Sequence, residues 1–547
     1  MNNFCAVLFS FFIVSLGQPS RIVWLCPVAA CLGFALFFRA ISSVRDSWRR
    51  FWTAVVWFSG IQVIQLSWMS SIEYQGYYIL LVYAVISCCI GLQFGLLTRW
   101  IPQRSLKVRD CAALAALWTL FEWSRLLCLC GFSWNPVGIA LSFHPIPLQS
   151  AALFGVFGLS FWVMFTNLGV GHSKNWKKAS QWFAVALLPY LFGVIHLQYQ
   201  QHNQTQLKPI RVALVQTGLL PSQKVLLTHR ASDYILPMTQ WENILSYLPD
   251  KQWDLIVLPE AAVPHGADYA VFPLSQVQQI WKNKWGEKAE NTLPSLIPPF
   301  ARQRFVQGKE VVDVSNLFFA QALANVCQAD VIVGLDYHDS WTNNFYNSAF
   351  LLRPDHECVQ RYDKQVLLPL AEYLPCEWMR NWTKSYGIFD FFSCGKEDQE
   401  LQARIPLSVS ICYEETFPEI IRRNAQAKVA LVNVTNDNYY PNSSLAEQHF
   451  SHARLRTVEN GRPLIRACNS GVTAVVDSYG YVVARLGEKG EDFEHKQGVL
   501  ECSFVPHIYP TLFSLWGDKG IVILSCLILI YYAIRCYFHR KISKLKN

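Results

Sequence analysis

The stretch "SVSICYEETFPE", Ser408 to Glu419, decides how this chain is read. Small and β-branched residues run into Cys412 and an acidic, helix-favouring stretch comes next, so the pattern predicts a buried strand ending at the cysteine and a helix starting there. A cysteine in an apolar run is most often inert core. One displayed at a strand-to-helix turn is placed to act as a nucleophile. The stretch alone leaves both readings open.

On either side of it, similar apolar runs occur at "IRVALVQTG" (210–218), "DLIVLPE" (254–260), "DVIVGLDYHD" (330–339), "NSAFLLRPD" (347–355), "IPLSVSIC" (405–412) and "VALVNVTND" (429–437). The run 471–487 reads as a hairpin turning at Ser478-Tyr479-Gly480. Helical stretches separate the runs, notably Thr416 to Gln426 and Ala446 to Asn460, the latter stopped by Gly461 and Pro463. Strands alternating with helices predict an α/β sandwich, and near-continuous apolar runs predict sheets covered on both faces.

The rest of the chain has a different character. Of 547 residues, 52% are hydrophobic and only 16% charged, against about 25% charged in a soluble globular protein. Apolar windows recur at about 3–18, 20–40, 52–70, 77–99, 110–130, 148–172, 180–198 and 517–538. Each approaches the ~20 residues needed to cross a hydrocarbon core with all backbone hydrogen bonds internal. The expectation is eight spans, the first retained because "MNNFCAVLFSFF" has no basic leader region and "SLGQPSR" is a poor cleavage site. Loops 39–50, 98–110 and 171–180 and the tail 535–547 are basic, whereas 70–78 and 131–147 carry no Lys or Arg. Basic loops stay cytoplasmic. Both termini are therefore expected in the cytoplasm, with 199–515 on the outer face. The chain then has three parts: 1–198 with seven spans, 199–515 as an outer α/β domain, and 516–547 as a last span with a basic tail. The formal net charge of +8 largely reflects those anchors, so no nucleic-acid partner is expected.

Three segments of the outer domain carry candidate chemistry. "DLIVLPEAAVP" ends a strand in Glu260, "RYDKQVLLPLAEYLP" offers Lys364 and Glu372, and "SVSICYEE" offers Cys412. Each sits where a strand runs out, which is where α/β folds build sites. Singly, a solvated glutamate, a surface lysine and a core cysteine are the commoner readings. Together, in this order, they resemble the carbon-nitrogen hydrolase (nitrilase) superfamily, whose fold is an αββα sandwich. Joined to a multispan N-terminal half and one C-terminal span, they resemble the apolipoprotein N-acyltransferase family within it. "EWSR" (122–125), "GFSWNP" (131–136), "NVTND" (433–437), "QHF" (448–450) and "ARLRTVENGRPLIRACNSGVTAVVD" (453–477) add to the resemblance.

The resemblance implies a catalytic triad of Glu260, Lys364 and Cys412, with Glu372, Tyr413 and Glu414 shaping the pocket. Lys364 and the start of a helix would lower the thiol pKa. Glu260 would be the general base, in a pocket dry enough to raise its own pKa. Lys364 and the Tyr413 amide would hold the oxyanion. The implied reaction moves an acyl chain from a membrane phospholipid, through a cysteine thioester, to the α-amine of a diacylglyceryl-modified N-terminal cysteine on an apolipoprotein. The implied location is a bacterial inner membrane, with the catalytic domain on the periplasmic face. A membrane-tethered amidase or nitrilase-like hydrolase using the same triad is the alternative. No CxxC pair, His cluster, phosphate loop or dinucleotide fingerprint occurs, so no metal or cofactor is expected.

Two aromatic stretches, 271–300 and 372–392, mix Trp, Tyr and Phe with Lys and Arg. That composition suits an interface with lipid headgroups and predicts arms that gate a lipid entrance, with Trp281, Trp285, Trp378 and Trp382 as anchors; a buried roof over the sheet is the other reading. Glu122 and Arg125 share a face of one span, either as an ion pair or as support for a cavity. The chain departs from the family pattern at Ala371, at Val225 and at Asn438 to Pro441, all in loops.

Overall fold

Strand and helix alternate beyond residue 207, as the apolar runs require. The computed structural model describes residues 3–128, 131–203, 207–376, 391–397, 399–487 and 492–546. β1 (Ile210–Gln216) and β2 (Leu255–Leu258) flank the helix Pro237–Tyr247. β3 (Phe272–Pro273), β4 (Ala301–Val306) and β5 (Lys309–Val314) form a small sheet of order β3-β5-β4. β6 (Asp330–Asp339), β7 (Asn344–Arg353) and β8 (His356–Asp363) continue as an antiparallel meander. β9 (Leu407–Ile411), β10 (Ala430–Thr435) and β11 (Leu464–Cys468) run parallel to one another. β12 (Ala474–Val476) and β13 (Val482–Arg485) are the expected hairpin, turning at Gly480 with φ +84°. β14 (Gly498–Phe504) pairs antiparallel with β1.

Two larger sheets result, a six-stranded one of order β14-β1-β2-β6-β7-β8 and a five-stranded one of order β13-β12-β11-β10-β9. β1, β2 and β6 touch strands of the second sheet, so these strands are covered on both faces and every residue of β2, β9, β10 and β11 is buried. Helices Pro237–Tyr247, Leu274–Trp285 and Asn316–Cys327 cover the outer face of the six-stranded sheet and share one apolar core with it. At about 25 cal/mol per Å², burial of this kind is the principal force holding the sandwich closed.

That core overturns part of the interfacial-arm expectation. In the stretch 271–300, Val277, Trp281 and Trp285 recur every four residues on one helix and form its buried stripe. Trp281 is fully buried, tilted against Trp285 at 4.6 Å and edge-on to Phe319 at 6.0 Å. Lys284 donates to the Leu248 carbonyl at 2.8 Å. The helix Leu274–Trp285 is roof, because rings four residues apart on an amphipathic helix bury more area against the sheet than in solvent, whereas Leu296 and Ile297 further along the stretch are exposed. Of the second stretch, Trp378 and Trp382 lie outside the described residues.

The chain divides into two compact units: Met1–Gln204 with Asn442–Gly461 and Tyr509–Asn547, and Thr205–Pro441 with Arg462–Ile508. The first is helical. Five described helices are long and apolar enough to cross a membrane: Val23–Ile41, Tyr78–Arg99, Ala151–Gly171, Trp176–His202 and Asp518–His539. The other three expected spans are helices that fall short of that test. Asn3–Leu16 and Val108–Ser124 have 14 and 17 residues, the second continued by the 3₁₀ turn Arg125–Leu127. Ser47–Gln65 is long enough but carries Arg49, Arg50, Gln62 and Gln65.

Glu122 and Arg125 are both buried. Glu122 Oε1 accepts from Trp118 Nε1 at 2.9 Å and from the Val137 amide at 2.8 Å, and Arg125 Nε donates to Gln93 Oε1 at 2.7 Å. The helix Leu445–Asn460 also belongs to this unit. Its Gln448 receives Trp68 Nε1 at 2.5 Å and donates to Gln18 Oε1 at 3.3 Å, and its Glu459 accepts the Val156 amide at 2.9 Å.

Candidate active site

β2 is followed by Pro259 and Glu260, and the turn beyond them is held by β6. The Ala262 amide donates to the Gly334 carbonyl at 2.9 Å, and the Gly334 amide donates to the Pro259 carbonyl at 3.2 Å. A Cβ at Gly334 would lie 2.6 Å from Glu260 Cα, so only glycine lets β6 approach this turn. The next residue, Ala261, takes φ +45°, a left-handed conformation unusual for alanine.

Lys364 comes directly after β8. Its amide donates to the Asn347 carbonyl on β7 at 2.9 Å, and its ammonium lies 3.4 Å from Glu260 Oε1 and 2.7 Å from Glu372 Oε1. Asn347 Nδ2 donates to the same two carboxylates, at 2.7 Å to Glu260 and 3.2 Å to Glu372. Glu372 is fixed in turn by the Leu368 amide on its Oε2 at 2.8 Å. Two carboxylates thus share one buried ammonium and one amide.

Cys412 comes directly after β9 with φ +50°, a strained turn that lifts the side chain out of the strand direction. The helix expected within Thr416 to Gln426 runs from Pro418 to Asn424 and so does not begin at the thiol itself. Residues Cys412–Thr416 form a single 3₁₀ turn, and Phe417 breaks it before the helix Pro418–Asn424. The α-helix therefore opens beyond the thiol, which sits at the start of the 3₁₀ turn instead.

The charges act accordingly. Burial first, then the Glu260 carboxylate, push the Cys412 thiol well above its ordinary range, and Lys364 opposes without winning. The expectation of a lowered thiol pKa is corrected: the resting sulfur holds its proton, because the pocket is dry and contains more carboxylate than ammonium. Glu260 is raised as well, by burial and by Glu372 against the pull of Lys364, with the Asn347 amide and the Cys412 thiol among the groups that act on it. Burial lowers Lys364, but Glu372, Glu260 and Cys412 outweigh it and hold the ammonium well above its ordinary value. A protonated thiol beside a carboxylate of raised basicity and a permanent cation can pass a proton and support a developing oxyanion.

Glu414 is fully buried and serves the scaffold. Its carboxylate accepts from the Ile411 amide at 2.8 Å, Tyr362 Oη at 3.0 Å, the Val366 amide at 3.2 Å and the Gln365 amide. One side chain so ties the turn after β9 to the segment bearing Lys364. Tyr413 is buried with its ring edge-on to Phe417 at 4.9 Å. Below, Asn433 on β10 donates to Ser410 Oγ at 3.0 Å and to the Cys412 carbonyl at 3.4 Å. Among the described residues no group of three or more His, Cys, Asp and Glu side chains is arranged to hold a metal.

The family description "Carbon-nitrogen hydrolase" matches residues 211–494, just over half the chain. This chain belongs to the carbon-nitrogen hydrolase family. A second description, "Apolipoprotein N-acyltransferase N-terminal domain", matches residues 12–169. The chain is similar to the apolipoprotein N-acyltransferase of Chlamydia caviae, 28% identical over 100% of this chain and 99% of the relative. It is also similar to that of Chlamydia trachomatis, 29% identical over 98% and 97%. A yeast protein of the nitrilase superfamily, Saccharomyces cerevisiae Nit3, aligns over 55% of this chain and 92% of its own at TM-score 0.33 and 19% identity.

Within the carbon-nitrogen hydrolase domain, sequence reasoning misses several buried polar residues. Asn347 sits in an apolar run, where an amide signals a partnered polar group. Arg466 on β11 is fully buried, donating to Glu415 Oε1 at 2.8 and 2.9 Å and lying 3.4 Å from Asp437 Oδ2. Its signal is an arginine inside the strand "LIRAC". Lys224, in the loop after β1, is buried too.

Proposed function

We propose that this carbon-nitrogen hydrolase is an apolipoprotein N-acyltransferase, and the observation that carries the reading is the meeting of Glu260, Lys364 and Cys412 at three strand ends. Similarity to acyltransferases over the whole chain, together with the matched N-terminal domain, favours transfer over simple hydrolysis. The donor is a phospholipid held in a bacterial inner membrane. The acceptor is the α-amine of an N-terminal diacylglyceryl-cysteine. Residues 1–198 and 516–547 anchor the segment 199–515 on the periplasmic side, both termini being cytoplasmic, with the helix Leu445–Asn460 lent to the helical unit.

In the first half-reaction Glu260 takes the thiol proton while Cys412 Sγ bonds to the ester carbonyl carbon. Lys364 and the Tyr413 amide face the oxygen that becomes negative. The carbon–oxygen bond of the ester then breaks, and the lysophospholipid alkoxide leaves with the proton from Glu260. In the second, the amine nitrogen attacks the thioester and gives a proton to Glu260. The carbon–sulfur bond breaks, and the proton returns to Cys412. Dividing one hard transfer between two easier steps is the benefit of the covalent route. The resting, protonated thiol limits wasteful reaction until a substrate arrives.

Intact-mass analysis tests this. Incubated with phospholipid alone, the purified protein should gain one acyl mass and stop; adding a diacylglyceryl-cysteine peptide should discharge it onto the peptide amine. Continuous release of free fatty acid with no acceptor present would favour the hydrolase.

A further inference from the structure

We propose that Lys224 is a positioning residue for Glu260, holding the turn that aims its carboxylate and biasing that carboxylate towards its ionised form. The inference rests on Glu260 being the general base.

Lys224 ends the single helical turn Pro221–Lys224, which is tied down by Gln223: its side chain accepts the Leu220 amide at 2.8 Å and its carbonyl accepts the Ile235 amide at 3.0 Å. Lys224 is 7% exposed, and its Nζ donates to the Ala261 carbonyl at 2.7 Å. That carbonyl belongs to the residue immediately after Glu260, the one with φ +45°. A left-handed alanine is held only where its surroundings over-determine it. Here the peptide after Ala261 is pinned on both sides, by Lys224 on its oxygen and by the Gly334 carbonyl on its N–H.

Charge is the second observation. An ammonium buried against a neutral carbonyl is unfavourable unless other charges compensate. The groups facing Lys224 are Glu260, Asp336 and Cys468. Burial nonetheless lowers its pKa to about 7, with Glu260 the largest opposing influence. Those facing Glu260 are Lys364, Glu372, Asn347 and Cys412, with Tyr439 and Asp336 also within its field, the Asp336 carboxyl itself raised to about 6 by burial and by Glu260. Lys364 is already engaged at 2.7 Å by Glu372. Lys224 is thus a second basic group whose charge acts on the base, ammonium over the acid range in which Glu260 titrates, and it comes from the segment before Glu260 where Lys364 comes from the segment after it.

The test measures the rate of thioester formation with phospholipid across pH by intact mass, alongside the melting temperature in detergent. Lys224→Met should melt near the wild type, form thioester at least about tenfold more slowly, and show its acid limb at higher pH, since losing a cation makes Glu260 easier to protonate. A wild-type rate, or a lower rate with the limb unmoved, overturns the proposal. If Lys224→Met does not fold, Lys224→Arg decides: keeping the charge, it should leave the limb in place while slowing the reaction, and a displaced limb or an unchanged rate overturns the proposal. Glu260→Gln separates the two readings. If that variant keeps the wild-type limb, the assignment of the base fails; if it abolishes the limb while Lys224→Met leaves it in place, only the Lys224 inference fails.

Discussion

Lys364 lies nearer to Glu372, at 2.7 Å, than to Glu260, at 3.4 Å. Glu372 therefore draws the ammonium away from the base and, as a like charge, raises the Glu260 pKa. For a general base the reactive form is the carboxylate, so thioester formation should rise with pH through a pKa above the ordinary carboxylate range. Glu372→Gln should move that limb to lower pH, because the repulsion is gone and Lys364 can turn to Glu260. A less basic Glu260 should then cut the plateau rate by about tenfold. A pH–rate profile of the variant checks both the direction and the size.

Cys412→Ser should lose roughly 10³-fold or more in activity while melting normally. The hydroxyl fills nearly the same space but cannot form the thioester. Near-normal turnover in an acyl-transfer assay would remove Cys412 from the reaction.

Gly334→Ala probes the turn from the opposite side. The added methyl would sit 2.6 Å from Glu260 Cα and from the Pro259 carbonyl, both backbone atoms that can only move away. Overpacking of this kind costs about 1–3 kcal/mol. Thioester formation should fall by about tenfold to a hundredfold, more than the change in melting temperature explains. A variant with reduced stability but full activity would mean that the position of Glu260 tolerates displacement.

Glu414→Gln replaces an acceptor of four hydrogen bonds by a group with one oxygen, and its amide would face donors. The expected loss is about 1–3 kcal/mol, read as a lower midpoint in thermal unfolding, with a slower first half-reaction because Lys364 and Cys412 lose their shared tie. Unchanged stability would place the carboxylate in solvent.

Trp281→Ala should cost about 3–5 kcal/mol of stability, since the ring lies in the core between Trp285 and Phe319. Activity should follow the folded fraction. Normal stability with a slowed half-reaction would restore the lipid-facing reading of this stretch.

Much of this protein is legible in its order of residues. Apolar runs that end in Glu260 and Cys412 predict β2 and β9 because a strand buried on both faces must be apolar throughout, and Gly461 stops the helix Leu445–Asn460 because it takes φ +59°. The stripe of Val277, Trp281 and Trp285 is legible too, since a repeat of four places rings on one face of a helix whether that face meets lipid or sheet. Which of the two covers the face is a matter of tertiary packing. So is the state of the thiol: the sequence supplies one lysine and one acidic run, but burial and then the Glu260 carboxylate decide that Cys412 keeps its proton, and desolvation exists only once the chain has closed. Asn347 and Lys224 become part of the site for the same reason. Hydrogen bonds between residues as far apart as Asn347 and Glu260 depend on where strands lie in space, and local patterns carry no trace of that.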